Sequence, residues 1–398
     1  MTAAGSCPRI ARGGVPWLFV LLLAGRVDAE VFRVGPDRTY RVPSEVAALV
    51  EDGDRVEIDA GVYPGDAAVW RADGLTLVGV GGLAHLRSGG VTAEDKAVWV
   101  IRGSGVIVEG VELSGARSSD FNGAGIRHEG GDLTIRDSVI HGNEMGLLTR
   151  NGEPDAHILI ERSEFAANGV DYRRHGRLGH NIYIGRGAAS FTLRYSHVHG
   201  AVTGHNVKSR AARNRILCNR IGDGGGGASS YLIDIAEPGE TLIAGNLLYQ
   251  GSRSENPAVV SYAAEQGTAN AREPPHQVAL IHNTAVSNRG GVFVNNHAPY
   301  PVLLRNNLLV GLRPSARGPV DAAGDLVTEA PGLVDRAGHD WRLMPASPAV
   351  DAGVALGAGA SAPRSEYRHP LGSVPRVYRG APDAGAHEFH VHPDAGGH

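Results

Sequence analysis

Eight segments of the chain alternate apolar and polar residues, break at a polar pair and then resume with an apolar pair. They read VIVEGVEL (106–113), LTIRDSVI (133–140), ILIERSEF (158–165), FTLRYSHV (191–198), NRILCNRI (214–221), LIAGNLL (242–248), ALIHNTA (279–285) and LLRNNLL (303–309). Alternation of this kind is the signature of a half-buried β-strand. Corresponding positions recur 23 to 37 residues apart. A repeat of that length with β alternation predicts a coil of stacked strands, because one rung cannot bury its apolar face alone while stacked rungs share a continuous core. The rungs are expected from about residue 75 to residue 312.

Composition agrees with a solenoid. Glycine supplies 56 of 398 residues, as repeated tight turns require. The stretch from Arg9 to Ala29 reads as a secretory leader, with Arg9 and Arg12 ahead of an apolar run from Val15 to Gly25 and small residues at Val27-Asp28-Ala29. That run is too short to span a bilayer and no later segment qualifies. A secreted or periplasmic bacterial protein with no membrane anchor after cleavage is expected. Removing residues 1–29 leaves Cys218 as the only cysteine, so no internal disulfide forms, and its place in a rung turn predicts a buried structural thiol. The remaining 35 basic and 41 acidic residues argue against general nucleic-acid binding. Lysine is scarce: Lys96 and Lys208 stand against 36 arginines. The bias reflects base composition rather than chemistry, but lysine can give up a proton where arginine cannot, which makes a retained lysine a candidate for proton chemistry.

The ends of the array are irregular. Pro43 to Asp52 (PSEVAALVED) predicts a short amphipathic helix with Ser44 as N-cap, followed by Gly53-Asp54, a strand over 55–59 and Gly61-Val62-Tyr63. This arrangement resembles the N-terminal cap of secreted right-handed parallel β-helix proteins of the pectate-lyase-like superfamily. Trp341-Arg342-Leu343, the stretch from Pro345 to Gly353 and Asp383-Ala384-Gly385-Ala386-His387-Glu388-Phe389 resemble the C-terminal closing segment of bacterial members. The expected organisation is a leader (1–29), a capped all-β right-handed parallel β-helix (30–312) and a closing segment packed on it (313–398).

The second strand of each rung carries the candidate chemistry. Asn181-Ile-Tyr-Ile184, Asn206-Val-Lys-Ser209 and Leu232-Ile-Asp-Ile235 place Tyr183, Lys208 and Asp234 at spacings of 25 and 26 residues, one rung each. Alternation then turns Asn181, Tyr183, Asn206, Lys208, Leu232 and Asp234 outward, with the three titratable groups stacked about 4.8 Å apart. Such a column can perform proton transfer; the plainer reading is a cross-strand ion pair. Gly-His-Asn occurs at 179–181 and again at 204–206. It sets His180 and His205 at the mouth of the same face, although strict alternation would turn both inward. The two long spacings, 33 and 37, are insertions that bracket the column. The first holds Arg173, Arg174 and Arg177, an expected anion site; the second, from Ala263 to His276, holds Glu265 and Arg272. Arg186, Arg210 and Arg213 follow the strands.

In the superfamily that the chain resembles, a groove along one sheet commonly holds an extended acidic polysaccharide. The resemblance therefore implies a polysaccharide lyase acting by β-elimination. Arg210, His205 or Asn206 would neutralise a uronate carboxylate. Lys208 and Tyr183 would serve as base and acid in either order, with Asp234 orienting Lys208 and His180 beside them. Asn181, Asn206, Arg173, Arg174, Arg177, Tyr231 and Glu265 would contact substrate. No Asp cluster matches the calcium site of pectate lyases, and the Asp-Pro-His-Asp signature of mannuronan C5-epimerases is absent. No cofactor is required on this reading, and calcium remains an open alternative. A C5-epimerase, a glycoside hydrolase using Asp234 with Glu237, Glu240 or Glu265, and a non-catalytic carbohydrate-binding scaffold are the other readings. A monomer is expected.

Overall fold

The computed structural model describes residues 1–2, 29–177, 179–224, 228–265, 277–357 and 361–390. The leader-like segment, Arg272 and most of the second insertion lie outside the described residues. No helix among those described is long and apolar enough to cross a membrane.

Ten short strands form one parallel sheet, in chain order Ala68–Trp70, Ala97–Ile101, Ala124–His128, Met145–Thr149, Ile182–Ile184, Val207–Ser209, Ile233–Ile235, Ala258–Tyr262, Val292–Asn296 and Ala316–Arg317. A second, 21-stranded sheet takes the remaining strands of each rung. Each strand pairs with its counterpart one rung on, as with Ile158↔Phe191 and Phe191↔Asn214. The apolar positions of the repeat converge between the walls, where Trp70, Trp99, Phe165, Phe191 and Phe293 are all fully buried.

The polar pair at each turn has two jobs. Its first residue is left-handed: Asp137, Arg162, Tyr195, Cys218, His282 and Asn306 have φ between 44° and 58°, and Gly110 and Gly245 fill the same place in their rungs. A non-glycine residue there costs roughly 1–2 kcal/mol. Its second residue turns inward and bonds along the stack. Asn219, Asn246, Asn283 and Asn307 hand one amide hydrogen bond to the next at 3.0 Å each, and Ser138, Ser163 and Ser196 continue the file. Buried amides left without partners would cost more than the turn does, so the ladder holds the turn in place. Cys218 is such a turn residue. Its thiol lies 3.0 Å from the Ser365 carbonyl, and burial pushes its pKa up to about 12, which is the expected inert thiol.

Both ends differ from expectation. The N-terminal segment forms only a 3-10 turn over Pro43–Glu45 with Val42 at the cap position, and no side chain caps it. A helix of ten residues is marginal by itself, and burial of Val46 in the core shapes the segment instead. The parallel array runs past 312: Val320–Ala323 and Leu326–Thr328 add another rung. These last strands are exposed or half-buried, Val320 and Val327 included, so the alternation of buried and exposed positions fades where the pairing does not. The rest of the chain closes on the flank of the solenoid. Trp341, Leu343, Tyr367, Ala384 and Ala386 pack on Leu247, Val286, Leu308 and Val310, which project outward from the rungs.

Candidate active site

The ten-stranded sheet aligns Tyr183↔Lys208↔Asp234 in one outward column, as the rung spacing requires. Arg127 and Leu148 precede the column, and Ser261 and Asn295 continue it. The column is outward but not open to water. Lys208 is 7% exposed and Asp234 3%, because the chain after Tyr262 brings Glu265 over them.

Lys208 Nζ donates to Glu265 Oε1 at 2.6 Å and lies 3.0 Å from Asp234 Oδ2. Arg210 donates to the hydroxyl of Tyr183 and to the other oxygen of Glu265, with its guanidinium carbon 5.1 Å from the Tyr183 ring centroid. Its Nε lies 3.3 Å from Glu237, a fully buried carboxylate that Arg186 also pairs. Three cations therefore face three carboxylates, Asp234, Glu237 and Glu265. Burial works against the charge on Glu265, but its bonds to Lys208 and Arg210 outweigh that and hold its pKa below the usual value.

Aromatic rings stack alongside the column. Tyr183, His180, His205 and Tyr231 follow one another at centroid distances of 5.6, 5.0 and 5.4 Å. The N–H of His205 donates to Nδ1 of His180 at 3.0 Å, and the N–H of Tyr231 donates to Nδ1 of His205 at 3.1 Å. With Nδ1 accepting, each neutral ring keeps its proton on Nε2. The Nε2 of His205 is 3.4 Å from Asp234 Oδ2. Burial, reinforced by nearby Lys208, drops the His205 pKa to about 3, and burial beside His205 holds His180 well below its ordinary value. The Nδ1 acceptor roles and the lowered pKa values both favour the neutral imidazoles.

The structure brings together Lys208, Tyr183, Arg210, Asp234, His205, His180, Tyr231 and Glu265. It does not bring Asn181 and Asn206 with them. Both amides are fully buried and turned inward, where Asn168 bonds Asn181 and Asn181 bonds Asn206, each at 2.8 Å. Leu232 is likewise in the core. These three residues precede their strands, at corners where two-residue alternation does not yet apply, so the expected outward face was wrong for them and the histidines go outward instead. Arg173 and Arg174 stand exposed on the helical turn Tyr172–His175, capped by Asp171, and Arg177 is exposed just beyond. None of their side chains forms an ion pair with a described residue; the turn leans on Phe121 through His175 at 4.1 Å. The pairing of Glu237 with Arg186 and Arg210 was not foreseen, since only folding brings their rungs into contact. Ser261 was also overlooked, although it stands one rung past Asp234.

A calcium ion would need several free oxygen ligands. The carboxylates here are each paired with Lys208, Arg210 or Arg186, and Asp234 Oδ1 is buried without a hydrogen-bond partner. A cleft of about 940 Å³ opens on the flank beside Trp341, Tyr367 and His369. Its buried acids are matched pairs, Glu366 with His387 and Glu388 with Arg376, which serve the closing segment.

The crystal structure of pectate lyase Pel9A superposes on the chain with a TM-score of 0.62 at 14% identity, covering 92% of this chain and 98% of that one. The fold is a right-handed parallel β-helix, as in that structure. Two structures of pectin methylesterase with bound hexasaccharides give TM-scores of 0.34 and 0.31 at 10% and 8% identity, each covering 79% of this chain and 92% of the other; scores that low have no bearing on the site. No protein-family model and no curated protein matches the chain. At 14% identity the likeness to Pel9A concerns the fold, and no residue role is carried over from it.

Proposed function

We propose that the protein is a polysaccharide lyase that cleaves a uronate-containing polymer by β-elimination. The observation that carries this reading is the grip of Lys208 and Arg210 on the two oxygens of one carboxylate, that of Glu265. A uronate carboxylate in the same place would be neutralised by the same cations, which acidifies the neighbouring C5–H. Arg210 also donates to the Tyr183 hydroxyl, and a positive donor there stabilises negative charge on that oxygen. Tyr183, acting as the phenolate, then takes the C5 proton and becomes the phenol. The electron pair left behind forms the C4–C5 double bond, the C4–O4 bond breaks, and Lys208, a proton donor already held by Asp234, protonates O4. His205 fixes Asp234 through its Nε2–H.

A glycoside hydrolase would need two available carboxylates, and the burial and double pairing of Glu237 count against it. The leader-like segment supports action outside the cytoplasm, and the acidic chain supports a carbohydrate partner over nucleic acid. The test is a panel of acidic polysaccharides followed by ultraviolet absorbance of unsaturated uronate and by product mass. Absorbance gained with chain cleavage is the expected result. Inverted C5 stereochemistry without cleavage would replace the lyase with an epimerase, and binding without any product would leave a carbohydrate-binding scaffold.

A further inference from the structure

The long sheet carries a second group of chemically competent side chains, on a different wall from the column. His85 and Glu112 are register partners on adjacent strands, and His141 follows on the next rung opposite Ser114. Both imidazoles aim Nε2 at one carboxylate oxygen: His141 Nε2 is 2.9 Å and His85 Nε2 3.4 Å from Glu112 Oε1. The three ligand atoms all lie within 4.8 Å of one another. His85 Nε2 also lies 2.7 Å from Ser114 Oγ.

A hydrogen bond accounts for one histidine on that oxygen. The Ser114 hydroxyl bonds His85 Nε2 as well, yet rings from two different rungs still meet within 3.4 Å of one carboxylate oxygen. Tetrahedral zinc with bonds of about 2.0–2.1 Å holds its ligands roughly 3.3 Å apart, and two histidines with one glutamate are an established donor set that leaves one position open. The two measured separations bracket that spacing. The side chains are 20%, 24% and 37% exposed for His85, Glu112 and His141, so an ion can enter and the fourth position faces water. Nitrogen and carboxylate ligands at tetrahedral spacing favour zinc and its neighbours over calcium. The same composition recurs further along the sheet, where His199 Nε2 is 2.9 Å from Glu164 Oε1 and His197 stacks on His199 at 4.1 Å.

We propose that His85, Glu112 and His141 form a binding site for a divalent ion of the zinc class, with one coordination position open to solvent. The ion takes the place of the proton on each Nε2 and ties three successive rungs together. The test uses untagged protein stripped with chelator and titrated calorimetrically with zinc chloride. The His85→Ala/His141→Ala double variant should take up one equivalent fewer than the parent, whatever the Glu164 group binds. Glu112→Gln, which keeps shape and both rings, should weaken that equivalent about tenfold or more. Zinc should raise the parent Tm by at least about 2 °C and the double variant less. Cobalt substitution should give tetrahedral visible bands in the parent that diminish in the variants. If the double variant does not fold in chelator, Glu112→Gln decides alone. No zinc uptake by the parent, equal uptake by parent and double variant, or unchanged affinity in Glu112→Gln would each overturn the site.

Discussion

Glu265 occupies the place that the proposed substrate carboxylate needs, so removing its charge should strengthen binding. The substitution is Glu265→Gln, which keeps the shape and one acceptor oxygen. In the parent, Lys208, Arg210 and Arg186 are balanced by Asp234, Glu237 and Glu265. The variant leaves one cation uncompensated at Lys208 and Arg210. A unit charge about 4 Å away is worth about 4 kcal/mol at an effective dielectric of about 20. The Glu265 side chain is 46% exposed, however, and water screens it. Exposed pairs are worth up to about 1 kcal/mol each. Two such pairs give roughly 1–2 kcal/mol, or a 5- to 30-fold gain in affinity for an acidic oligosaccharide. The assay is calorimetric binding of an oligouronate and of a neutral oligosaccharide of equal length, each at low and at high salt. The gain should appear for the acidic ligand alone and shrink with salt. If Glu265→Gln folds as the parent does and binds the oligouronate no better, Glu265 is not standing where the substrate carboxylate goes. A fall in kcat at unchanged affinity would make Glu265 part of the catalytic machinery instead.

Three other predictions follow from the same geometry. Lys208→Arg should fold, keep oligouronate binding within a few-fold and lose at least about 100-fold in kcat, because arginine holds its charge but does not release a proton; parental kcat would reduce Lys208 to an ion-pair partner. Asn206→Ala should lower stability by about 1–3 kcal/mol by leaving Asn181 with a broken buried ladder; kcat of the folded fraction should be retained, and a selective loss of substrate binding would restore the outward reading of that residue. The pKa of His205 falls to about 3 on folding from about 6.5 in an unfolded chain. The unfolded state therefore takes up a proton that the folded state refuses, and stability is lost as pH falls from about 6.5 toward about 3, at up to about 1.4 kcal/mol per pH unit. Chemical denaturation across that range should show a shallower acid limb for His205→Asn; an identical limb would mean that this ring titrates normally in the fold.

The repeat determined most of this protein in advance. Alternation broken at a fixed polar pair specifies a strand, a turn and an inward hydrogen-bonding residue, and those are local properties of each segment. The rung spacing likewise set the column, since Tyr183, Lys208 and Asp234 need only regular stacking to meet. Four matters waited for the tertiary structure. Asn181 and Asn206 sit at corners, where the chain is between two strand directions and period two says nothing about which way a side chain points. The burial of Lys208 depends on Glu265, 57 residues further along. The closing segment packs along the flank because Leu247, Val286, Leu308 and Val310 leave an apolar patch there; each of those residues reads locally as an ordinary strand position. The convergence of His85 and His141 on Glu112 joins three rungs. Local pattern determines what each rung is, whereas a site assembled across rungs depends on register, insertions and side-chain direction together, and these become definite only once the coil has closed.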